Sequence, residues 1–326
     1  MSTDVLCLRP EADFTRVDAP APATLRVTYR KPDDADVPAL MRAAAALVIP
    51  AVGPKLAPPL FEGGRLKLVQ ITGAGVDRLD RETLTRLGIA VANVAGGSNG
   101  AVAEYAVTAA AALLRRFAWA DAELKAGNYV AFRARMVADN LAGLDGLLVG
   151  LVGFGTIGMA VAQAFAALGC RVCYHDPAPR DAKAGEAVGA KPMALDTLLA
   201  TADVVSLHVP LLPATKGMIG ERELSRMKPG AVLIQASRGG VVDEAALAVH
   251  LRAGRLGGAA VDVYSTEPPG ADNPLLALDG EAARRLLLTP HIAGVTRQSS
   301  ATLFRSAWQN VERVLLRHEP PQNRVF

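Results

Sequence analysis

Three cysteines in 326 residues are too few for a disulfide framework. Cys170 and Cys173 do stand at C-x-x-C spacing in GCRVCYHD. A redox pair uses that spacing at a helix start, where the dipole lowers a thiol pKa. Here Cys170 sits on a turn and Cys173 in an apolar run, so both read as small buried side chains in reducing cytoplasm. No apolar run approaches the roughly 18 residues of a membrane-spanning helix. The first residues, MSTDVLCLRPEADF, lack the basic start and apolar core of a signal peptide. No dense block of Lys or Arg occurs and the formal net charge is only +3, which argues against nucleic acid and against polybasic membrane binding. Internal repeats and low-complexity tracts are missing too.

What is present is an ordinary globular balance, 51% apolar and 21% charged, in a chain long enough for two domains of about 100–200 residues each. From about residue 145 to 290 short apolar runs alternate with helical segments: LLVGLV (147–152), RVCYH (171–175), DVVSLHV (203–209), AVLIQA (231–236), GAAVDV (258–263) and RLLLT (285–289). After the first run Ile157, Ala160, Val161, Ala164, Phe165 and Leu168 recur at helical spacing, and Gly169 follows as a C-terminal stop. Strands apolar on both faces, alternating with amphipathic helices, predict a parallel sheet covered on both sides, the doubly wound α/β arrangement. The first hundred residues repeat the alternation in TLRVTY (24–29), AALVIP (45–50), LKLVQI (66–71) and IAVANV (89–94), and predict a smaller α/β domain. An Ala-rich stretch from about 100 to 126 reads as one long helix at a domain seam, ending near Gly127. A last amphipathic helix, about 296 to 317, returns the chain to the first domain. The division expected is 1–98 with 295–326, and 99–294. Trp119 and Trp308 read as core or interface aromatics.

The stretch LLVGLVGFGTIG joins an apolar strand to three glycines spaced G-x-G-x-x-G. Gly153 permits the tight turn into the helix, Gly155 lets a pyrophosphate approach the backbone, and Gly158 lets the helix lie close to the sheet. Asp176 follows Gly158 by eighteen residues, at the end of the next strand. An acid there accepts from both hydroxyls of an adenosine ribose and repels a 2′-phosphate, so NAD(H) is expected over NADP(H); the nearby Arg180 leaves some NADP(H) use open. Ligands of such sheets bind beyond the carboxyl ends of the strands. At those ends stand Arg238, Asp262, Glu267 and His291. A guanidinium grips a carboxylate through two parallel bonds, and an imidazole gives and takes a proton near neutral pH. Beside a nicotinamide, an Arg and a His–Glu pair suit hydride transfer at a 2-hydroxy or 2-oxo acid.

In order and spacing, the segments ITGAGVDRLD (71–80), VANVAGGSNGAVAEYAV (91–107), LVGFGTIG, LHVPLLPATKGMI (207–219), MKPGAVLIQASRGGVVDE (227–244), AAVDVYSTEP (259–268) and LLTPHIAGVT (287–296) make a specific signature. The chain resembles the D-isomer-specific 2-hydroxyacid dehydrogenase family over essentially its whole length. The resemblance implies a Rossmann domain plus a smaller flavodoxin-like substrate domain, in an NAD-dependent enzyme, usually a homodimer, with the active site in a cleft. It implies that Arg238 binds the substrate's carboxylate and carbonyl, that His291 is the acid/base and that Glu267 is its partner. Thr156 and Ile157 would meet the pyrophosphate, Val209, Pro210, Ala236, Ser237, Asp262 and Gly294 would lie along the cofactor, and the loop Ala74, Gly75, Val76 would receive the substrate carboxylate. QASR stands where the family often has NxxR, which puts Gln235 in place of asparagine. GGSNGAVAE, with Ser98 and Asn99, differs from the usual asparagine-rich loop, and Gly294 stands where many relatives carry serine. The extra regulatory domain of some phosphoglycerate dehydrogenases is not expected after residue 326. Within the family a phosphite or formate donor is an alternative, formate less so because TPHIAG carries no long insertion. Outside enzymes, the alternative is an NADH-sensing corepressor-like protein.

Overall fold

The computed structural model describes residues 4–178 and 182–326. Arg180 lies outside them. The chain divides into two units, Met1–Ser98 with Val295–Phe326, and Asn99–Gly294.

In the first unit β1 (Asp4–Cys7), β2 (Arg26–Tyr29), β3 (Ala46–Ile49), β4 (Leu68–Ile71) and β5 (Ala90–Ala92) form a parallel sheet in the order β2-β1-β3-β4-β5, the flavodoxin-like order. Successive side chains of a strand point to opposite faces. Val5, Cys7, Ala46, Val48 and Leu68 accordingly bury on one face with Phe14, Leu303, Ala307, Trp308 and Val311. Leu6, Leu47, Ile49, Val69 and Ile71 bury on the other with Val37, Met41 and Leu84. The helix Arg297–Leu315 supplies the first of these covers. Its Asn310 donates to buried Gln70 Oε1 at 2.6 Å, which satisfies the one amide that β4 turns inward.

In the second unit β6 (Leu148–Val152), β7 (Arg171–His175), β8 (Ala190–Pro192), β9 (Val204–Leu207), β10 (Val232–Gln235), β11 (Gly258–Val261) and β12 (Leu286–Leu288) are all parallel, in the order β12-β11-β10-β9-β6-β7-β8. The chain builds outward from β6 through β7 and β8, then returns to β9 on the other side of β6. That reversal opens a crevice beyond the ends of β6 and β9, where ligands of doubly wound sheets bind.

Several elements differ from the sequence reading. β1 and β8 have no counterpart in it. The Ala-rich helix is two helices, Asn99–Leu114 and Phe117–Lys125, because Arg116 takes a left-handed φ of +52° between them; a further helix, Tyr129–Ala138, follows. Gly127 has φ +81° at the expected stop. Ala103, Ala106 and Ala110 bury in the second unit's core with Val161 and Phe165. Leu168 was expected on the apolar stripe but is exposed, since the helix from Thr156 ends at Ala166 and Gly169 (φ +80°) turns the chain. Cys7, Cys170 and Cys173 are free and buried, and burial pushes the Cys173 thiol up to about 11. No helix among the described residues is long and apolar enough to cross a membrane.

Candidate active site

The turn after β6 cannot be built from other residues. Gly153 has φ +96°, and a Cβ there would lie 2.5 Å from the carbonyl oxygen of His208 at the end of β9. At Gly158 a Cβ would meet the Gly153 carbonyl oxygen at 2.3 Å, so the helix rests on the turn itself. Gly155 differs from both. Its φ is negative and a Cβ would find nothing within 4 Å. Packing does not require glycine at that position, whereas close approach of a ligand to the backbone does. The helix Thr156–Ala166 begins there with no side-chain cap, leaving its first N–H groups and its positive end for an anion. Thr156 is exposed and Ile157 half-buried. Asp176, just past β7, accepts from Phe154 N–H at 2.7 Å and from Ala178 N–H at 2.9 Å, which ties it to the glycine turn. An open face at Gly155, an uncapped helix start and a carboxylate at the neighbouring strand end fit a dinucleotide. Val209 is buried at the end of β9, and Pro210 is exposed with its carbonyl held by Thr215 Oγ1 at 2.6 Å.

Arg238 follows β10 on a loop fixed by Gln235. The Gln235 amide donates to the Arg238 carbonyl at 2.8 Å, and its oxygen accepts from Ser237 Oγ at 2.8 Å and Ser237 N–H at 3.3 Å. Gln235 thereby occupies the turn from both sides, with Ala236 carried between. Arg238 Nη1 donates to the Ser237 carbonyl at 2.8 Å. At Gly239 a Cβ would fall 1.7 Å from the Tyr264 carbonyl oxygen, so the Arg238 loop lies directly on the segment after β11.

That segment carries Glu267, and the segment after β12 carries His291. His291 Nδ1 meets Glu267 Oε2 at 2.8 Å, and Glu267 Oε1 accepts from Tyr264 N–H at 3.1 Å. With both carboxylate oxygens engaged, the ring is aimed and its Nε2 is left for a reactant. Both side chains are 27% exposed, open enough to receive a small molecule. His291 has φ +55°, a conformation few side chains adopt. Asp262 holds it there. The carbonyl of Asp262 accepts His291 N–H at 2.8 Å, and its carboxylate accepts Ile292 N–H, Ala293 N–H and Thr289 Oγ1–H at 2.8, 2.8 and 2.6 Å. Asp262 is 1% exposed, and among the described residues its carboxylate bonds only to this turn. Gly294 is half-buried just beyond. No cluster among the described residues has the makings of a metal site.

In the first unit, Ala74, Gly75 and Val76 follow β4. Asn93 Nδ2 donates to the Ala74 carbonyl at 2.7 Å. Across a trans peptide the next N–H, that of Gly75, points the opposite way. Among the described residues, no protein group accepts from the N–H groups of Ala74, Gly75 or Val76.

Comparison with known proteins decides the family. Residues 107–293 match the profile described as D-isomer specific 2-hydroxyacid dehydrogenase, NAD binding domain. The chain belongs to the D-isomer-specific 2-hydroxyacid dehydrogenase family. It is 39% identical over 234 residues to a D-3-phosphoglycerate dehydrogenase of Archaeoglobus fulgidus, a match covering 72% of this chain and 42% of that enzyme. To an (S)-sulfolactate dehydrogenase of Chromohalobacter salexigens it is 39% identical over 251 residues, 77% of this chain and 78% of that one. A D-lactate dehydrogenase of Treponema pallidum superposes with TM-score 0.82 at 27% identity, over 99% of both chains.

Several residues that shape this family member's site escaped the sequence reading. Tyr105 OH meets Thr289 Oγ1 at 2.7 Å and so extends the Asp262 network to the helix Asn99–Leu114. Glu244 accepts from Ser265 N–H, Ser265 Oγ and Asn273 Nδ2 at 2.6, 2.8 and 2.6 Å, which fastens the loop that carries Glu267. His208 Nε2 meets buried Ser206 Oγ at 2.8 Å beside the glycine turn. A polar residue at a strand end was the available signal for His208; the others stand away from strand ends and gave none.

Proposed function

We propose that this chain is an NAD-dependent reductase of small 2-oxo acids to D-2-hydroxy acids, with glyoxylate and hydroxypyruvate as the first substrates to try, working in the cytoplasm as a homodimer. The observation that carries the reading is the 2.8 Å contact between His291 Nδ1 and Glu267 Oε2, made at the carboxyl edge of the sheet that also carries Arg238. When bound, NADH supplies the hydride that reduces the carbonyl carbon.

The protein's own groups do the rest. The first N–H groups of the helix at Thr156 receive the pyrophosphate, and Asp176 disfavours a 2′-phosphate on the ribose. Arg238 grips the carboxylate and faces the carbonyl oxygen, where its charge favours the negative charge that builds up there. His291, as imidazolium, gives its Nε2 proton to that oxygen, while Glu267 fixes the ring through Nδ1 and balances its charge. In the first unit, the unaccepted N–H groups of Ala74, Gly75 and Val76 are donors suited to a carboxylate. Exposed Tyr129, Val130 and Val137 on one short helix support the homodimer, since apolar side chains grouped at a surface mark an interface.

The test is a spectrophotometric assay of NADH consumption with glyoxylate, hydroxypyruvate, pyruvate and a bulkier 2-oxo acid, repeated with NADPH and, in the oxidising direction, with NAD and phosphite. Turnover of a 2-oxo acid supports the reading and identifies the preferred acid. Phosphite oxidation alone, or NADH binding with no turnover, overturns it.

A further inference from the structure

Arg78 lies two residues past the loop Ala74-Gly75-Val76 and is 3% exposed. Its Nε donates to the Pro54 carbonyl and its Nη1 to the Pro50 carbonyl, both at 2.9 Å, and its own carbonyl accepts Leu56 N–H at 2.9 Å. Nη2 is buried with no partner. Among the described residues no carboxylate pairs with this guanidinium, and burial alone pushes its pKa below the ordinary arginine value. The loop after β3 is shaped around it: Gly53 has φ +136°, and a Cβ there would stand 3.1 Å from Arg78 Cζ. The same loop touches the one after β4, since a Cβ on Gly73 would come within 2.8 Å of Ala51 Cβ. A buried cation without a counter-ion costs several kcal/mol in real proteins. It is therefore a poor device for stability alone, and two carbonyls could be satisfied by a neutral donor. What a neutral donor would lack is a positive charge on the residue two positions past the three unaccepted N–H groups of Ala74, Gly75 and Val76.

We propose that Arg78 is a positioning residue for the substrate's carboxylate: it fastens the 50–54 loop against the 72–76 loop and supplies the positive charge that draws an anion onto the amides of residues 74–76. The proposal rests on the 2-oxo acid reading and adds to it a cation that does not itself touch the substrate.

Arg78→Met and Arg78→Lys are compared with the parent enzyme at saturating NADH, using a 2-oxo acid and its uncharged methyl ester. Losing this charge should raise KM for the acid about tenfold in the Met variant, with kcat within about twofold and KM for the ester unmoved. The Lys variant, keeping the charge, should stay within about threefold of the parent. Equal KM rises for acid and ester, a Lys variant as poor as Met, no change in either, or failure of both to fold overturns the proposal, because each leaves Arg78 a purely structural role or none. A parent enzyme that turns over no 2-oxo acid defeats the functional reading instead. Titration calorimetry with oxalate then decides the Arg78 proposal separately: weaker binding in the Met variant upholds it, and equal binding removes it.

Discussion

The N–H of His291 donates to the main-chain carbonyl of Asp262 at 2.8 Å, while the Asp262 carboxylate takes the next two N–H groups, those of Ile292 and Ala293, at the same distance. Three consecutive amides thus converge on one residue, and that convergence sustains the left-handed φ of +55° at His291. Asp262→Asn replaces an acceptor oxygen with an NH2 that faces an amide N–H. A buried group left unpaired costs about 1–3 kcal/mol, so the unfolding free energy obtained from urea titration should fall by that amount. Turnover should fall further than NADH affinity, because the displaced residue is the proposed acid/base and the glycine turn is untouched. Fluorescence titration with NADH and steady-state kinetics read the two separately; parallel losses would contradict the assignment.

Gly153 and Gly155 sit two residues apart and should respond to alanine in opposite ways. At Gly153 the new Cβ meets the His208 carbonyl at 2.5 Å with φ at +96°, so Gly153→Ala should destabilise the unit whether or not a cofactor is present. At Gly155 the Cβ has open space and an ordinary φ. Gly155→Ala should keep the parent's thermal midpoint within a degree or two and lose NADH affinity by roughly tenfold or more, as expected when a methyl group blocks backbone approach to a phosphate. Differential scanning fluorimetry with and without NADH distinguishes them. A Gly155→Ala protein that binds NADH normally removes the pyrophosphate from that turn.

Among the described residues the His208 ring has a buried, unpartnered Nδ1 and donates or accepts only through Ser206, so the charged form, which needs two acceptors, is disfavoured. Burial lowers its pKa from 6.5 to about 4. Between those values the unfolded chain binds the proton and the folded one does not, so stability rises with pH across the window and is lost as pH falls from about 6.5 to about 4. At about 1.4 kcal/mol per pH unit the full effect is about 3 kcal/mol. Urea unfolding of the parent and of His208→Asn at pH 7.5, 6.0 and 4.5 should show a shallower decline in the variant. Matching slopes would assign the acid sensitivity to other groups.

Much of this fold is legible in the sequence. A parallel sheet covered on both faces follows from apolar runs such as DVVSLHV and AVLIQA alternating with helical segments, and family membership follows from the order of the motifs. β1 is not legible because DVLC is only four residues long and lends no period. β8 went unread because AKP combines a lysine with a proline, the usual dress of a protected edge strand. The break at Arg116 leaves no Gly or Pro to announce it; Arg116 bonds Asp139 and stacks 5.4 Å from the Trp119 ring, contacts that only the folded chain supplies. The candidate site divides the same way. Arg238, Glu267 and His291 stand at strand ends and carry their chemistry in their side chains. Tyr105, Glu244 and Arg78 act through carbonyls, amides and hydroxyls far away in sequence, which no local pattern encodes.

Gln235 stands where asparagine is frequent in the family, and it is 2% exposed. Its amide spans the turn between the Arg238 carbonyl and the Ser237 hydroxyl, both at 2.8 Å. Gln235→Leu is close in size and removes three bonds at once, leaving a buried hydroxyl unpaired. Gly239 already lies on the Tyr264 carbonyl, so the loop can only swing away from the β11 segment, and Arg238 goes with it. The loss of the proposed two-pronged, charge-assisted grip is worth about 1.5–3 kcal/mol, so kcat/KM for the 2-oxo acid should fall by roughly 10- to 100-fold. NADH affinity should change much less. Gln235→Asn is one methylene shorter: it can reach the Ser237 side of the turn or the Arg238 carbonyl, but not both at the present spacing, and should fall between parent and Leu. An Asn variant equal to the Leu variant would mean that volume, rather than the amide, holds the arginine in place.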